Sequence, residues 1–231
     1  MSPLENLPAQ WTGFSDNWMW EEPLLSNLQN EFPLLEGKNV LILGAGNCIL
    51  AELLTTYGAA IYLIDKKHLK NTKKNIYIVR GNIEQLPFKN DFFDLVISCS
   101  TFQYVDHLAS FVEIARVAKC GSLVFLHENK VGNPFVFCYR LLRHAQSLIQ
   151  KDIKKYQSSI KKYLREYDIP KESFTIERKR NYYFISALCF FYGNKEKSKE
   201  ILIRIDDFII DRIKFLEYAC WFCTYKIRVK K

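Results

Sequence analysis

The chain has 231 residues, of which 48% are apolar, 25% charged and 15% aromatic. That length predicts one large domain, with room for an elaboration, that builds a full core without staples. With only 9 Gly and 7 Pro among plentiful Phe, Tyr, Ile and Leu, the composition excludes a collagen-like or disordered chain. The cysteines number seven, an odd count, and Met1-Ser2-Pro3-Leu4-Glu5 lacks the basic start and apolar core of a leader. The longest apolar runs, such as residues 182–192, are about half the roughly 20 residues a membrane span needs. A soluble, cytoplasmic protein with reduced thiols is expected.

The net charge of +8 is unevenly placed. Residues 1–150 hold 13 Lys/Arg against 14 Asp/Glu, whereas residues 151–231 hold 20 against 11. Such asymmetry marks either a nucleic-acid or membrane-surface face or a solvated set of helices, and pattern alone favours the second.

The first 37 residues hold Trp11, Trp18 and Trp20 among acids and prolines. They read as a turn-and-helix segment, most helical over 21–30 and closed by Pro33. Asn39-Val40-Leu41-Ile42-Leu43 is a continuous apolar run ending in Gly44-Ala45-Gly46, the pattern of a strand buried on both faces of a parallel sheet. Asn47 stands where a helix N-cap belongs, before residues 49–54, and Gly58 suits that helix's C-terminus. A second strand over 60–64 ends on Asp65. Further strands are expected over 76–79, 93–98 and 123–126, with a helix over 108–118. Residues 136–167 turn helical and basic until Pro170. Residues 174–177 read as a sixth strand and residues 195–214 as a helix, with Ile201, Ile205, Phe208, Ile209 and Ile213 at helical spacing. Residues 219–229 read as a last strand. The alternation predicts an α/β fold: a doubly wound, mostly parallel sheet of seven strands with helices on both faces.

The chemistry begins at Gly44-Ala45-Gly46, where two glycines let the backbone turn tightly against a ligand at a helix start. A dinucleotide site needs a third glycine where this chain has Ile49, which counts against NAD and FAD. Asp65, 21 residues beyond Gly44, is placed to accept both hydroxyls of a ribose. Then come Val79-Arg80-Gly81-Asn82-Ile83-Glu84-Gln85-Leu86-Pro87-Phe88, Phe92-Phe93-Asp94-Leu95-Val96, Val105-Asp106-His107 and Glu113-Ile114-Ala115-Arg116-Val117, closed by Lys119-Cys120-Gly121. This ordered set, over about residues 38–128, resembles the class I S-adenosylmethionine-dependent methyltransferases of the small-molecule type.

The resemblance implies a Rossmann-like, seven-stranded sheet with an antiparallel last strand, and S-adenosylmethionine as cofactor. It implies that Gly44 and Gly46 back the methionine and ribose portion and that Asp65 holds the ribose hydroxyls. It places Asn82 and Ile83 at the adenine, and Ser98 and Cys99 beside the methionine part and the transferable methyl. Cys48 stands where the family usually has Gly, Asn82 replaces a common Asp, and Gln103-Tyr104 stand where many relatives carry His. If the acceptor arrives protonated, His127, and next His107, are candidate bases, with Tyr104 as an orienting group. Residues 1–37 would then be a cap segment before a methyltransferase domain over 38–231. Within it, 130–170 would be a helical acceptor-side insertion carrying Arg140 and Arg143, and 171–231 the C-terminal strands and helix. The expected partner is a small-molecule or lipid-like acceptor. Aromatics at 182–184 and 190–192 beside Lys/Arg admit weak contact with an anionic membrane surface, with core packing the favoured alternative. Neither an appended RNA module nor a D/N-P-P-Y/F sequence is present, so an RNA substrate is disfavoured. A catalytically weak cofactor-binding scaffold is the other alternative. Cys220-x-x-Cys223 lacks a second pair, so no metal is expected.

Overall fold

The computed structural model describes residues 24, 27–44, 49–66, 74–149, 163–188 and 196–231. Seven strands form one sheet: β1 (Asn39–Leu43), β2 (Ala60–Asp65), β3 (Ile76–Arg80), β4 (Phe93–Cys99), β5 (Ala118–Asn129), β6 (Phe174–Tyr182) and β7 (Phe222–Val229). Their order is β3-β2-β1-β4-β5-β7-β6. The pairs from β3 to β5 are parallel, and β7 runs antiparallel between β5 and β6. The sheet is the seven-stranded, mostly parallel one that the alternation predicts.

The continuous apolar runs are explained by burial on both faces. In β1, Val40 and Ile42 join a cluster with Leu50, Leu53 and Leu54 of helix α1 (Ile49–Thr56). Leu41 and Leu43 point the other way and join Phe111, Ile114 and Val117 of helix α2 (His107–Val117). Period-2 alternation puts neighbouring residues into separate cores, so a strand between two helical layers has no polar face. Asp106 caps α2, its carboxylate accepting the Ala109 N–H at 2.9 Å. Two further helices follow, α3 (Pro134–Ile149) and α4 (Glu196–Arg212).

Several expectations are corrected. The strand expected over 123–126 extends over 12 residues as β5, because β7 pairs with it along Leu123–Asn129 and its start pairs with Phe93. The helical reading of 136–167 fails at its end: the described residues 163–165 are not helical, and a 3₁₀ turn spans Glu166–Asp168. There the Asp168 carboxylate accepts the Arg165 N–H at 2.8 Å, the local side-chain bond by which Asp favours turns over helix. Pro33 lies inside a 3₁₀ turn over Gln29–Leu34 rather than just beyond a helix. Another 3₁₀ turn, Lys214–Ala219, occupies the start of the expected last strand, so Cys220 precedes β7 instead of lying in it. No disulfide joins the described cysteines.

The aromatic run at 182–184 is a core element in its described part. Tyr182 and Tyr183 are buried with Val136, Ala187, Trp221 and Phe222; residues 190–192 lie outside the described residues. Some cations of the basic third are ion-paired. Lys179 meets Glu166, Arg180 meets Asp207, Lys226 meets Glu31 and Glu177, and Arg228 meets Glu177. Charges and an irregularity between Ile176 and Arg178 blunt the edge strand β6 against further pairing. Among the described residues no helix is long and apolar enough to cross a membrane.

Candidate functional site

A cavity of about 490 Å³ opens beyond the C-terminal ends of the parallel strands. Gly44 follows β1, Asp65 and Lys66 end β2, Gly81 and Ile83 follow β3, and Cys99, Ser100, Thr101, Tyr104 and Val105 come from the end of β4 and its turn. In open α/β sheets, ligands bind outside the carboxyl strand ends where the strand order reverses, here between β1 and β4.

Gly44 is required twice over. Its φ of +76° suits glycine. A Cβ there would also run into the Thr101 hydroxyl, which lies within bonding reach of the carbonyls of Leu43 (2.9 Å) and Cys99 (3.1 Å). The first glycine turn is thereby locked against the turn after β4.

The motif over 82–88 is tied to that turn as well. Glu84 accepts the Asp106 N–H at 2.8 Å and the Asn82 amide at 3.0 Å. These bonds, the backbone one first, hold its carboxyl below the usual range. The Leu86-Pro87-Phe88 stretch is held from α2. Glu113 accepts the Leu86 N–H at 2.7 Å, and Arg116 donates to the carbonyls of Leu86 (2.8 Å) and Phe88 (2.7 Å). Arg116 also pairs with Glu113 one turn away, which draws the Glu113 carboxyl down. The separated motif pieces are therefore one hydrogen-bonded assembly around the cavity mouth.

Of the residues singled out in the sequence, Gly44, Asp65, Ile83, Cys99 and Tyr104 line the cavity together. Asn82 stands beside it, its amide donating to Glu84. Ser98 is fully buried outside the lining and donates to Glu128 at 2.7 Å. His127 is not brought to the cavity: its ring is fully buried, bonded through Nδ1 to Thr224 at 2.7 Å and stacked on Phe222. The base role read for it is corrected on that ground, since a fully buried ring packed on the sheet face against Thr224 and Phe222 of β7 lies away from the cavity lining. His107 begins α2 and links the Phe102 carbonyl to Asp168, each at 3.1 Å. Gly46 and Cys48 lie outside the described residues, as do the side chains of Arg140 and Arg143 on α3.

Two residues that the sequence reading gave no role shape the cavity. Thr101 locks the Gly44 turn, and Glu128 accepts bonds from Ser98, Thr101 and Phe102. The available signal was a carboxylate ending an apolar strand, which costs too much to bury without partners.

Residues 41–126, which contain every described residue lining the cavity, match the family described as a methyltransferase domain. Over this stretch, a little over a third of its length, the chain is similar to that family. It is 30% identical over 118 residues to an uncharacterized protein of Methanocaldococcus jannaschii, covering 51% of this chain and 52% of that protein. The chain thus spans about half the length of the curated relative it matches. Its fold is similar to that of an S-adenosylmethionine dependent methyltransferase from Mesorhizobium loti, with a TM-score of 0.59, 16% identity, and coverage of 90% of this chain and 97% of that one. It is also similar to Haemonchus contortus phosphoethanolamine N-methyltransferase 2 in complex with phosphomonomethylethanolamine and S-adenosylhomocysteine. That likeness has a TM-score of 0.53 and 15% identity, covering 89% of this chain and 52% of that one. At such identities the likeness shows the fold alone.

Proposed function

We propose that this protein is an S-adenosylmethionine-dependent methyltransferase acting on a small-molecule or lipid-like acceptor. The observation that carries the reading is the convergence of Gly44, Asp65 and Ile83 on one cavity from three different strand ends. Its volume of about 490 Å³ lies within the roughly 300–1,000 Å³ of small-molecule sites. Its lining combines a carboxylate, a Cβ-free backbone turn and a buried apolar residue, the donor set that a ribose, a methionine portion and an adenine need.

When bound, the cofactor supplies a methyl group already activated on a sulfonium. The residues of this chain then bind, orient and exclude water. Asp65 accepts the ribose hydroxyls. Gly44, with Gly46, leaves room for the methionine and ribose portion. Ile83 contacts the adenine face, and the Asn82 carbonyl oxygen accepts from its amino edge. Cys99 lies on the methionine side, with Ser98 beneath it. Tyr104, 54% exposed on the cavity rim, orients the acceptor for in-line attack. Arg140 and Arg143, on α3 beyond β5, contact the acceptor.

Isothermal titration with S-adenosylhomocysteine tests the cofactor reading. The protein is expected to bind it, and Asp65→Ala to weaken binding on the order of 100-fold with unchanged circular dichroism, since hydrogen bonds to a charged group contribute about 1.5–3 kcal/mol each. A folded protein that binds neither S-adenosylmethionine nor its product would refute the proposal. Mass spectrometry of cell-extract molecules that gain one labelled methyl would then name the acceptor.

A further inference from the structure

The turn after β4 carries four of the cavity-lining residues, Ser100, Thr101, Tyr104 and Val105. It begins with Ser100 at φ +55°, the left-handed region that non-glycine residues rarely adopt. Thr101 follows at φ −100° and ψ −34°. A left-handed residue followed by a right-handed one aims successive N–H groups into a common concavity, a cradle for an anion.

The anion in this cradle is a side chain. Glu128 at the end of β5 accepts the Thr101 N–H through Oε1 and the Phe102 N–H through Oε2, each at 3.2 Å. Its Oε1 also accepts the Ser98 hydroxyl at 2.7 Å. Glu128 is 2% exposed, and burial pushes its carboxyl up to about 7. Around it are Ser98 on β4, the Thr101–Phe102 backbone on the turn, and Cys223 opposite it on β7, whose thiol burial pushes up to about 11. His107 reaches the next peptide unit, at the Phe102 carbonyl.

We propose that Glu128 is a positioning residue, its carboxylate seated in the Thr101–Phe102 cradle to hold the cavity wall at Ser100–Val105 in its ligand-receiving shape. This rests on the cofactor reading above and adds to it the part that decides the wall's conformation. Glu128 touches no substrate; it acts through the turn.

The test is titration of the protein with S-adenosylhomocysteine between pH 6 and 8, with hydrogen exchange of residues 100–105 followed in parallel. Because Glu128 goes from about one-tenth to nine-tenths ionised over that interval, wild-type affinity is expected to rise about tenfold. Glu128→Gln puts an NH₂ where an N–H must be accepted, so at pH 8 it is expected to bind about tenfold more weakly, with no rise across the interval and faster exchange at 100–105. Glu128→Asp keeps an ionisable carboxyl on a shorter reach and is expected to retain a pH-dependent rise at weaker affinity, which covers the case of a Gln variant that does not fold. Wild-type affinity and exchange in Glu128→Gln at pH 8 would overturn the proposal, as would an Asp variant lacking any rise. If the wild-type protein fails to bind at every pH, the cofactor reading falls, and unchanged exchange at 100–105 in the variant would then overturn the wall-holding role separately.

Discussion

The sheet has two unlike halves that meet at β5. On one side, β3, β2, β1 and β4 run parallel and end together at the cavity, and their turns are tied by Thr101, Glu84, Glu113 and Arg116. On the other side, β7 and β6 run as an antiparallel ribbon on which Lys179, Arg180 and Arg228 pair with acids. The contrast shows how a fold separates its tasks. Parallel strands bring all their C-terminal ends to one edge, where backbone turns can converge on a ligand. An antiparallel strand sends alternate ends to opposite edges and serves closure and edge protection instead.

Substitutions on the two sides should therefore differ in kind. The largest effect is expected at Gly44→Val, which needs a strained φ and displaces the Thr101 hydroxyl. S-adenosylhomocysteine binding should vanish in calorimetry, with about 2–4 kcal/mol lost in urea denaturation. Arg116→Ala should come next. It frees the carbonyls of Leu86 and Phe88 and unpairs Glu113, and a loss of roughly 2–3 kcal/mol is expected from the same measurement.

Glu128 gives the boundary between the halves a pH signature. Its folded-state pKa, raised to about 7, means that the native chain holds this proton more tightly than the unfolded chain does. The resulting stability is full below the ordinary carboxyl range and is lost as pH rises through about 7. The shift corresponds to roughly 3 kcal/mol, and denaturation midpoints followed from pH 5 to 8 should fall accordingly, whereas Glu128→Gln should remove that slope. The smallest effect belongs to the ribbon. Lys179→Ala removes an exposed pair with Glu166 and should change stability by less than about 0.5 kcal/mol and ligand binding not at all. A large loss of binding there would break the division between the halves.

The parallel half was the more legible in the sequence, for a physical reason. A strand buried on both faces must be apolar throughout, so Asn39–Leu43 and Ala60–Asp65 announce themselves, and the glycine and acid that end them mark the ligand edge. The Glu113 and Arg116 pair was visible as a motif, but its work on the Leu86-Pro87-Phe88 turn required the fold. In the other half the signals were less direct. Tyr182 and Tyr183 beside cations admitted a surface, with core packing favoured, and they are core. On α4, Ile201, Ile205 and Phe208 have the helical spacing of a buried stripe, yet they are exposed while Asp206 and Ile210 are buried. Asp206 is buried because it accepts the N–H groups of Phe184, Ile185 and Ser186, partners supplied by a segment about 20 residues away.

The amino-acid order by itself determined the strands, their alternation with helices, and the glycine and carboxylate at the cavity edge. These are local consequences of burial period and backbone freedom. Which polar groups face the cavity and which are enclosed was decided only by tertiary structure. His127 and Glu128 are neighbours in one strand, but alternation sends one ring to Thr224 and Phe222 and the other carboxylate to the turn at Thr101. A side chain's chemistry depends on what surrounds it, and those surroundings come from chain segments far apart in sequence.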